Sequence, residues 1–259
     1  MIKVLTIAGS DPSSGAGIQV DLKTFQALGV FGMAVPAALT AQNSKGVSGA
    51  FAVQSKIVSL QLDALLLDIR PDAVKIGMLL TKGNVEAVAA ALGKNKIRNL
   101  VIDPVLRSSS GRALLQPVAL ASFTRSLLPM ALIVTPNIPE AEVLAGISIE
   151  TEADMDFAAG IILDRGPSYV LIKGGHRPGP ATDTLYGGKT VLSFSTERLK
   201  GEFHGTGCVF SSAITAFIAR GLPVEKAVEK AKLFVDKMLK TAQPAGKGKA
   251  KYFQFAELL

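Results

Sequence analysis

Short apolar runs that end at turn residues recur along the chain, and they predict a series of buried strands. The runs are, in order, KVLTIAG, GMAVPAAL, DAVKIG, NLVIDPV, ALIVTPN and YVLIKGG, followed by DTLYGGKTVLSFS, in which a Gly-Gly pair predicts a hairpin turn. Most positions of the first six runs are apolar, so both faces of these strands are expected to be covered.

Segments between the runs carry apolar residues three and four positions apart, which predicts helices with one buried face. The apolar positions are Leu62, Leu65, Leu66 and Ile69, then Val85, Val88, Ala89 and Leu92, then Phe210, Ala213, Ile214 and Phe217, and last Val224, Ala227, Val228 and Ala231. Strands and helices in alternation predict one α/β domain over residues 1–259, with a mainly parallel central sheet flanked by helices on both sides. Ligands of such folds bind at the carboxyl ends of the strands.

The composition limits the partners and the location of the protein. The chain has 28 Lys and Arg against 21 Asp and Glu, but apart from "GKGKAKY" near the end the basic residues are scattered, and no aromatic residues alternate with them. This argues against nucleic acid as a partner. The longest uncharged span, Thr24 to Ser44, is interrupted by glycine, proline and polar residues, so no membrane helix is expected. A single cysteine excludes an internal disulfide and a Cys/His zinc site, and we expect a cytoplasmic protein with a small-molecule partner.

The first predicted strand is followed by a glycine-rich turn, "GSDPSSGAGIQVDLKT". The turn lacks the Gly-Lys-Ser/Thr ending of a Walker loop and the spacing of a dinucleotide fingerprint, so it is either a phosphate site or a permissive turn. Asp21 lies on the same helical face as Ile18, Leu22 and Phe25, which is the face expected against the sheet. A carboxylate that points inward needs a donor, either from the protein or from a ligand.

Other polar residues follow the predicted strands, and each has a structural and a functional interpretation. Asp103 ends a strand before Pro104 and could either bond a turn or bind magnesium. Asn137 and Glu140 have the spacing of a capping box, which would stabilise a helix without any role in chemistry. Lys173 ends an apolar strand before two glycines, where a lysine is best accommodated beside an anion.

The segment "HGTGC" precedes a long apolar helix, so the backbone N–H groups of residues 205–208 are expected to converge at the positive end of that helix. This arrangement predicts an anion hole. The alternative is a glycine-rich helix start in which Cys208 packs as a small apolar residue.

The order and spacing of these segments resemble the phosphomethylpyrimidine kinases of thiamine biosynthesis, in the ribokinase-like superfamily. The matching blocks lie between Thr6 and Val235 and are TIAGSDPSSGAGIQVDLKTFQALGVFG, ALTAQNSKGV, KIGML, IDPV, TPNIPEAE, LIKGGH, HGTGC and AKLFV. The resemblance implies a ribokinase-like three-layer α/β/α sandwich. It also implies a kinase that uses ATP and Mg²⁺ to phosphorylate 4-amino-5-hydroxymethyl-2-methylpyrimidine and then to convert the monophosphate to the diphosphate.

The resemblance also implies roles for the residues at the matching positions. The pyrimidine would contact Gly9, Asp21, Gln42 and Met78. The nucleotide would contact Asp103, Asn137, Glu140, Lys173, Thr206 and Lys232, with Asp103 and Glu140 as magnesium ligands. The catalytic residues would be Lys173, Gly205, Gly207 and Cys208. In this set the glycine loop forms the anion hole, and Cys208 accepts the hydroxyl proton where much of the superfamily has an aspartate. Because Cys208 lies at the start of a helix, we expect a lowered pKa for its thiol.

Two other functions stay open at the level of the sequence. Related enzymes with this fold phosphorylate pyridoxal or pyridoxine, and the absence of the aspartate base would also suit a non-catalytic pyrimidine-binding protein. The chain departs from the family pattern at Ser14, at Leu106 and Arg107, and in the tail "AGKGKAKYF". The sequence also leaves a homo-oligomer open.

Overall fold

The centre of the fold is a sheet of nine strands, counted over the residues that the structure describes. This structure is a computed structural model, and it describes residues 1–108, 111–175, 179–188 and 190–255. The strands are β1 (Lys3–Ser10), β2 (Phe31–Asn43), β3 (Gly46–Ala52), β4 (Ala73–Ile76), β5 (Leu100–Ile102), β6 (Ile133–Val134), β7 (Tyr169–Lys173), β8 (Ala181–Gly187) and β9 (Thr190–Thr196). They lie in the order β3-β2-β1-β4-β5-β6-β7-β8-β9. The neighbouring pairs β2–β1, β1–β4, β4–β5, β5–β6 and β6–β7 are parallel. The pairs β2–β3, β7–β8 and β8–β9 are antiparallel, so the mainly parallel sheet is confirmed.

Helices cover both faces of this sheet. They are α1 (Gly17–Ala27), α2 (Ser55–Asp68), α3 (Lys82–Lys94), α4 (Pro117–Ser122), α5 (Ile138–Ala145), α6 (Glu152–Leu163), α7 (Thr206–Ala219) and α8 (Val224–Thr241). Alternate residues of one strand enter two different hydrophobic cores. In β5, Leu100 and Ile102 pack in the core that contains α2 to α6, whereas Val101 packs in the core that contains α7 and α8. Each fully buried aliphatic side chain contributes about 1.5–3 kcal/mol of transfer free energy, so apolar packing holds both helix layers on the sheet.

The hairpin at one edge of the sheet differs from the prediction. The second predicted strand ends at Leu39, but β2 continues to Asn43 and pairs with β3, a strand that the sequence did not predict. The segment of β3, GVSGAFA, has two glycines and a serine among small residues, so it lacks the apolar run that marks the buried strands.

Within the described residues, none of the helices combines the length and the apolar character needed to cross a membrane. The predicted domain end at residue 259, and His176 of the segment "LIKGGH", lie outside the described residues.

The tail that follows α8 returns to the carboxyl edge of the parallel strands. Two short strands, β10 (Gln243–Pro244) and β11 (Lys251–Tyr252), pair with each other in antiparallel orientation. Between them, the Gly248 N–H group donates to Ser44 Oγ at 3.0 Å, in the turn of the β2–β3 hairpin. A Cβ atom on Gly248 would overlap the backbone of Ser44, so this approach requires glycine. The tail and the hairpin therefore meet at the edge where ligands of this fold class bind.

Candidate active site

A cavity of about 770 Å³ lies at the carboxyl ends of the parallel strands. Its wall contains the ends of β1, β4 and β7, the β2–β3 hairpin, the first residues of α7 and the tail. The volume is within the range of small-molecule sites, about 300–1,000 Å³. The cavity lies at the edge of the sheet where the sequence predicted ligands to bind.

The cavity wall brings together most of the residues that the sequence singled out. They are Gly9, Gln42, Met78, Asp103, Asn137, Glu140, Lys173, Gly205, Thr206, Gly207 and Cys208. Asp21 and Lys232 are not part of the wall. Both are bound to buried partners inside the protein.

Asp21 lies behind the cavity wall. Its fully buried carboxylate accepts hydrogen bonds from Lys75 Nζ at 2.8 Å, Thr6 Oγ1 at 2.7 Å and Ser212 Oγ at 2.7 Å. The helix face correctly predicted an inward carboxylate, but the protein itself supplies the donors. The structure thus corrects the prediction that Asp21 contacts the pyrimidine, because a fully enclosed carboxylate has no free face for a ligand.

Lys75, the partner of Asp21, is a site residue that the sequence reasoning missed. It is the third residue of β4 and is fully buried, and its side chain also contributes to the cavity wall. Burial alone would lower the pKa of Lys75, but the charge and hydrogen bond of Asp21 together with the charge of Asp103 outweigh burial and raise the pKa, so the lysine stays positive. A lysine inside the apolar run "DAVKIG" is the same signal that drew attention to Lys173, and it could have identified this residue.

Lys232 is held by β8 and does not face the cavity. Its Nζ donates to Asp183 Oδ2 at 2.6 Å, and Asp183 Oδ1 accepts from the Gly174 N–H group at 3.1 Å. The pair therefore fixes the turn that follows Lys173. The contact of Lys232 with the nucleotide stays a prediction.

Lys173 and Asp103 form an ion pair in the cavity wall. Lys173 Nζ donates to Asp103 Oδ1 at 2.8 Å, and Ser211 Oγ donates to Asp103 Oδ2 at 3.3 Å. Burial alone would raise the pKa of the Asp103 carboxyl, but the positive charges of Lys173 and Lys75 outweigh it and hold the pKa below 3.8. Asp103 is therefore an anion at neutral pH, with one oxygen already bonded to a lysine.

Glu140 forms the capping box that its spacing predicts, and it also faces the cavity. Its Oε2 accepts from the Asn137 N–H group at 2.9 Å while Asn137 Oδ1 accepts from the Glu140 N–H group at 2.9 Å, so the predicted capping box of α5 is present. Glu140 also lines the cavity. Burial raises the pKa of its carboxyl to about 7, against the opposing charge of Lys173 and with a further contribution from nearby Asp103. The carboxyl therefore titrates near neutral pH.

The start of α7 lies beside Lys173 and Asp103 in the cavity wall. Gly205 is the N-cap residue with φ = 79°, and a Cβ atom there would overlap the backbone of Gly15. The first hydrogen bond of the helix runs from the Val209 N–H group to Gly205 O at 2.9 Å, so the N–H groups of residues 206–208 precede the helical ladder and are free to bind an anion. A Cβ atom on Gly207 would lie 3.3 Å from Lys173 Nζ, which places the lysine beside this turn.

Cys208 is half-buried and packs with the apolar core of α7. The expectation of a lowered thiol pKa was wrong, because burial raises the pKa of Cys208 to about 11 and the charge of Lys75 opposes it only in part. Asp21 and Asp103, which are distant in sequence, add negative charge beside the sulfur and raise the pKa further. The thiol is therefore neutral at pH 7.

Three further residues beside Gln42 were not assigned roles from the sequence. Asp11, in the first glycine-rich turn, lies 2.9 Å from His204 Nε2 through its Oδ2 atom. The same imidazole nitrogen lies 2.9 Å from the amide of Gln42, and the ring makes an edge contact with Tyr252 of the tail. The contact between Asp11 and His204 could not be predicted from the sequence, because the two residues are 193 positions apart.

The cavity thus has two ends, one with Gln42 and the other with Lys173, Asp103 and the first turn of α7. Residues 11–252 match the family model described as phosphomethylpyrimidine kinase. The chain belongs to the phosphomethylpyrimidine kinase family. It is a kinase with the ribokinase-like fold, as the sequence predicted.

Curated relatives and solved structures agree with this assignment. The chain is 45% identical over 241 residues to the hydroxymethylpyrimidine/phosphomethylpyrimidine kinase of Rhizobium meliloti, covering 92% of this chain and 90% of the relative. It is 44% identical over 247 residues to the thiamine biosynthesis bifunctional protein ThiED of Geobacter sulfurreducens, where the match covers 95% of this chain and 50% of the relative. The crystal structure of phosphomethylpyrimidine kinase from Clostridium difficile has a TM-score of 0.83 and 43% identity, covering 92% of this chain and all of that one. The pyridoxal kinase of Staphylococcus aureus in complex with ADP has a TM-score of 0.90 and 35% identity, covering 98% and 93% of the two chains.

The positions where this kinase departs from the family pattern lie around the cavity. Ser14 stands at a position of glycine in the family and has φ = 63°, a left-handed conformation that glycine adopts at lower cost. Leu106 is buried in the main core, whereas Arg107 lines the cavity. In the tail, Lys247 and Tyr252 also line the cavity, so the unusual tail forms part of the site wall.

Proposed function

We propose that this kinase transfers a phosphoryl group from ATP to the hydroxymethyl group of 4-amino-5-hydroxymethyl-2-methylpyrimidine and then phosphorylates the monophosphate to the diphosphate, in thiamine diphosphate biosynthesis. The observation that carries the proposal is the cavity with an amide, Gln42, at one end and the Lys173–Asp103 pair beside the amides of residues 206–208 at the other. One end suits a polar heterocycle and the other suits phosphate groups. The names of the curated relatives support the same substrate.

At the first end, the ring would lie against Gly9, Met78 and Gln42, which line the cavity. A Cβ atom on Gly9 would lie 2.9 Å from Met78 Sδ, so glycine allows Met78 to pack closely against the end of β1. The amide of Gln42 offers one donor and one acceptor, which match the amino group and the ring nitrogen of an aminopyrimidine. This pairing favours the pyrimidine over a ring that lacks the amino group.

At the second end, Asp103 and Glu140 would hold Mg²⁺, which when bound neutralises phosphate charge. Among the described residues there is no group of three His, Cys, Asp or Glu side chains that could hold a metal, but Mg²⁺ is commonly bound by one or two carboxylates, phosphate oxygens and water. The two residues fit this mode, because both carboxyl groups line the same cavity. Asn137 and Thr206 would contact the nucleotide next to them.

Lys173 and the glycine turn would supply most of the catalytic effect of the protein. In phosphoryl transfer the protein acts mainly by positioning and by stabilising charge on the transferred group. Lys173 Nζ and the N–H groups of residues 206–208 are fixed donors at one side of the cavity, with Gly205 and Gly207 allowing the turn. These donors would bind the oxygens of the transferred phosphoryl group.

Cys208 would lie at the position of the hydroxyl proton acceptor. With a pKa of about 11, only roughly one thiol in 10⁴ is ionised at pH 7, so a thiolate is a minor species before substrate and nucleotide bind. A loose transition state develops little negative charge on the attacking oxygen and makes a small demand on a base. We therefore assign Cys208 a contribution to turnover that is smaller than that of Lys173.

Purified protein with Mg²⁺, ATP and the pyrimidine alcohol tests the proposal. ADP release in a coupled assay and ³¹P NMR of the product should show first a monophosphate and then a diphosphate. Lys173→Met is the control for contaminating kinases and should lose at least about 100-fold in kcat. ADP release that does not depend on the alcohol would contradict the proposal, and ADP release that depends on it would remove the non-catalytic alternative.

Pyridoxal kinase activity is the second candidate, because the structure of the Staphylococcus aureus pyridoxal kinase aligns with 98% of this chain at a TM-score of 0.90. The same assay with pyridoxal in place of the pyrimidine decides between the two. A higher kcat/KM for pyridoxal would replace the substrate that we propose.

A further inference from the structure

Asp11 is a buried carboxylate for which the proposed chemistry has no use. It is 2% exposed, and its Oδ1 accepts from the Ser13 N–H group at 2.8 Å and from Ser13 Oγ at 2.7 Å. Its Oδ2 accepts from the N–H groups of Ala16 at 2.9 Å and Gly15 at 3.2 Å and faces His204 Nε2 at 2.9 Å. Burial alone would raise the pKa of Asp11, but the hydrogen bonds from His204 and Ser13 outweigh it and lower the pKa, so the group is ionised.

An ionised carboxylate accepts hydrogen bonds but donates none, so His204 Nε2 must carry a proton. The Gln42 amide atom that faces this nitrogen at 2.9 Å is Nε2, which would place two donors against each other. Because the two ends of an amide are distinguished only by their hydrogen bonds, the rotated amide is the consistent arrangement. Its oxygen then shares the single His204 Nε2 hydrogen with Asp11 Oδ2 in a three-centre bond. Its NH₂ group donates to Thr40 Oγ1, which itself donates to Ser10 O at 3.0 Å.

The imidazole of His204 packs against the tail of the chain. Its ring lies against Tyr252, with centroids 5.2 Å apart and planes at 60°, and the Tyr252 hydroxyl donates to Ser13 Oγ at 3.3 Å. The backbone N–H group of His204 donates to Lys251 O at 2.9 Å. A Cβ atom on Gly15 would overlap both rings, so the turn that holds Asp11 is packed directly against them. The proton on His204 therefore has a defined position and direction.

We propose that His204, held by Asp11, is a positioning residue that sets the orientation of the Gln42 amide and thereby the preference for an aminopyrimidine ring. With the oxygen of Gln42 toward His204, the amide presents one N–H donor and one oxygen lone pair to the cavity. An aminopyrimidine edge requires this pair, with a ring nitrogen that accepts beside an amino group that donates. The proposal rests on the proposed function. It gives a reason for the fixed orientation of the Gln42 amide that would bind the pyrimidine ring.

A double-mutant cycle in the full-length kinase tests the coupling. His204→Phe keeps a ring against Tyr252 but removes the N–H donor, and it should raise KM for the pyrimidine alcohol about tenfold while KM for ATP stays within about twofold. Gln42→Leu should raise the same KM by a similar factor. In the double variant the His204→Phe change should add less than about twofold, because its effect passes through Gln42. If the increase in KM of the double variant equals the product of the increases in the two single variants, the proposal is wrong.

A conservative variant separates positioning from packing. His204→Gln places an amide N–H group near the position of the imidazole Nε2 and should recover part of the KM that His204→Phe loses. If His204→Gln and His204→Phe are equally impaired, with equal melting temperatures, the hydrogen bond has no role and the proposal is wrong.

The tautomer of His204 gives a readout that does not depend on the substrate. In ¹⁵N NMR spectra, His204 should carry its proton on Nε2, and Asp11→Asn should change the signal of this nitrogen. A neutral ring with the proton on Nδ1 would overturn the proposal even if the pyrimidine is phosphorylated. Failure of wild-type turnover with the pyrimidine, together with the Nε2–H tautomer, would instead refute the proposed function alone.

Discussion

Replacing Glu140 by glutamine should make the ligand-free kinase more stable at alkaline pH while it lowers activity. Glutamine has nearly the same shape, and its carbonyl oxygen can still accept from the Asn137 N–H group, so the capping box of α5 is kept. What is lost is a buried carboxyl whose pKa rises from 4.5 to about 7 on folding. The carboxylate also accepts from the Leu106 N–H group, and this bond is lost at every pH, so the pH dependence of the difference isolates the cost of the one buried charge.

The size of the effect follows from the pKa. The folded state binds the proton of Glu140 more tightly than the unfolded state, so this carboxyl favours folding below pH 4.5 and that contribution is lost as the pH rises through 7. At about 1.4 kcal/mol for each pKa unit, the loss is at most about 3 kcal/mol. Glu140→Gln has no such titration, so its stability relative to wild type should increase from pH 5 to pH 8 by up to about 3 kcal/mol.

Urea denaturation at pH 5, 6, 7 and 8, without Mg²⁺ or nucleotide, measures this difference. Glu152→Gln, an exposed change at the start of α6, is the matched control and should shift the unfolding free energy by less than about 0.5 kcal/mol at every pH. A difference between Glu140→Gln and wild type that stays constant with pH would refute the reasoning. So would a difference that decreases as the pH rises.

Three other substitutions probe the site. Lys75→Met leaves Asp21 buried without its counter-charge and should lower the unfolding free energy by about 3–5 kcal/mol. Lys226→Met, which breaks an exposed pair, should leave the unfolding free energy nearly unchanged in the same denaturation assay. Cys208→Ser should keep KM for both substrates and lower kcat by no more than about tenfold in the ADP-release assay; unchanged kcat would limit Cys208 to packing. Gly205→Ala should lower kcat at least about 100-fold because its Cβ atom would displace the turn against Gly15, whereas Gly146→Ala, at the same φ of 79° but in open space, should leave kcat near wild type.

The strands and helices could be predicted because their signals are local. The parallel strands are short apolar runs, and the helix α7 follows a glycine turn, so each is readable within about ten residues. The β2–β3 hairpin was missed because small residues in β3 provide no such pattern. The position of the tail could not be predicted either, because its place beside Ser44 depends on contacts between distant parts of the chain.

The errors at the site share one cause, which is a partner supplied by a distant part of the chain. The face of α1 correctly predicted that Asp21 points inward, but the choice between a ligand and Lys75 depends on a strand 54 residues away. The pKa of the Cys208 thiol was predicted from its own helix alone, whereas burial by the surrounding elements raises it, and the charges of Asp21 and Asp103 from two other elements raise it further. Lys232 was likewise singled out without its partner in the structure, Asp183 of β8.

The long separation of the partners in the site has a consequence for synthesis of the protein. During synthesis, Asp11 has no contact with His204 until 193 further residues are made, and Asp21 lacks its hydrogen bond from Ser212 until 191 further residues are made. Until α7 and α8 emerge from the ribosome, the part of the sheet face that contains Val101 lacks the two helices that bury it. A nascent chain that stalls shortly before α7 would therefore expose that face, and it should be a good substrate for chaperones and proteases.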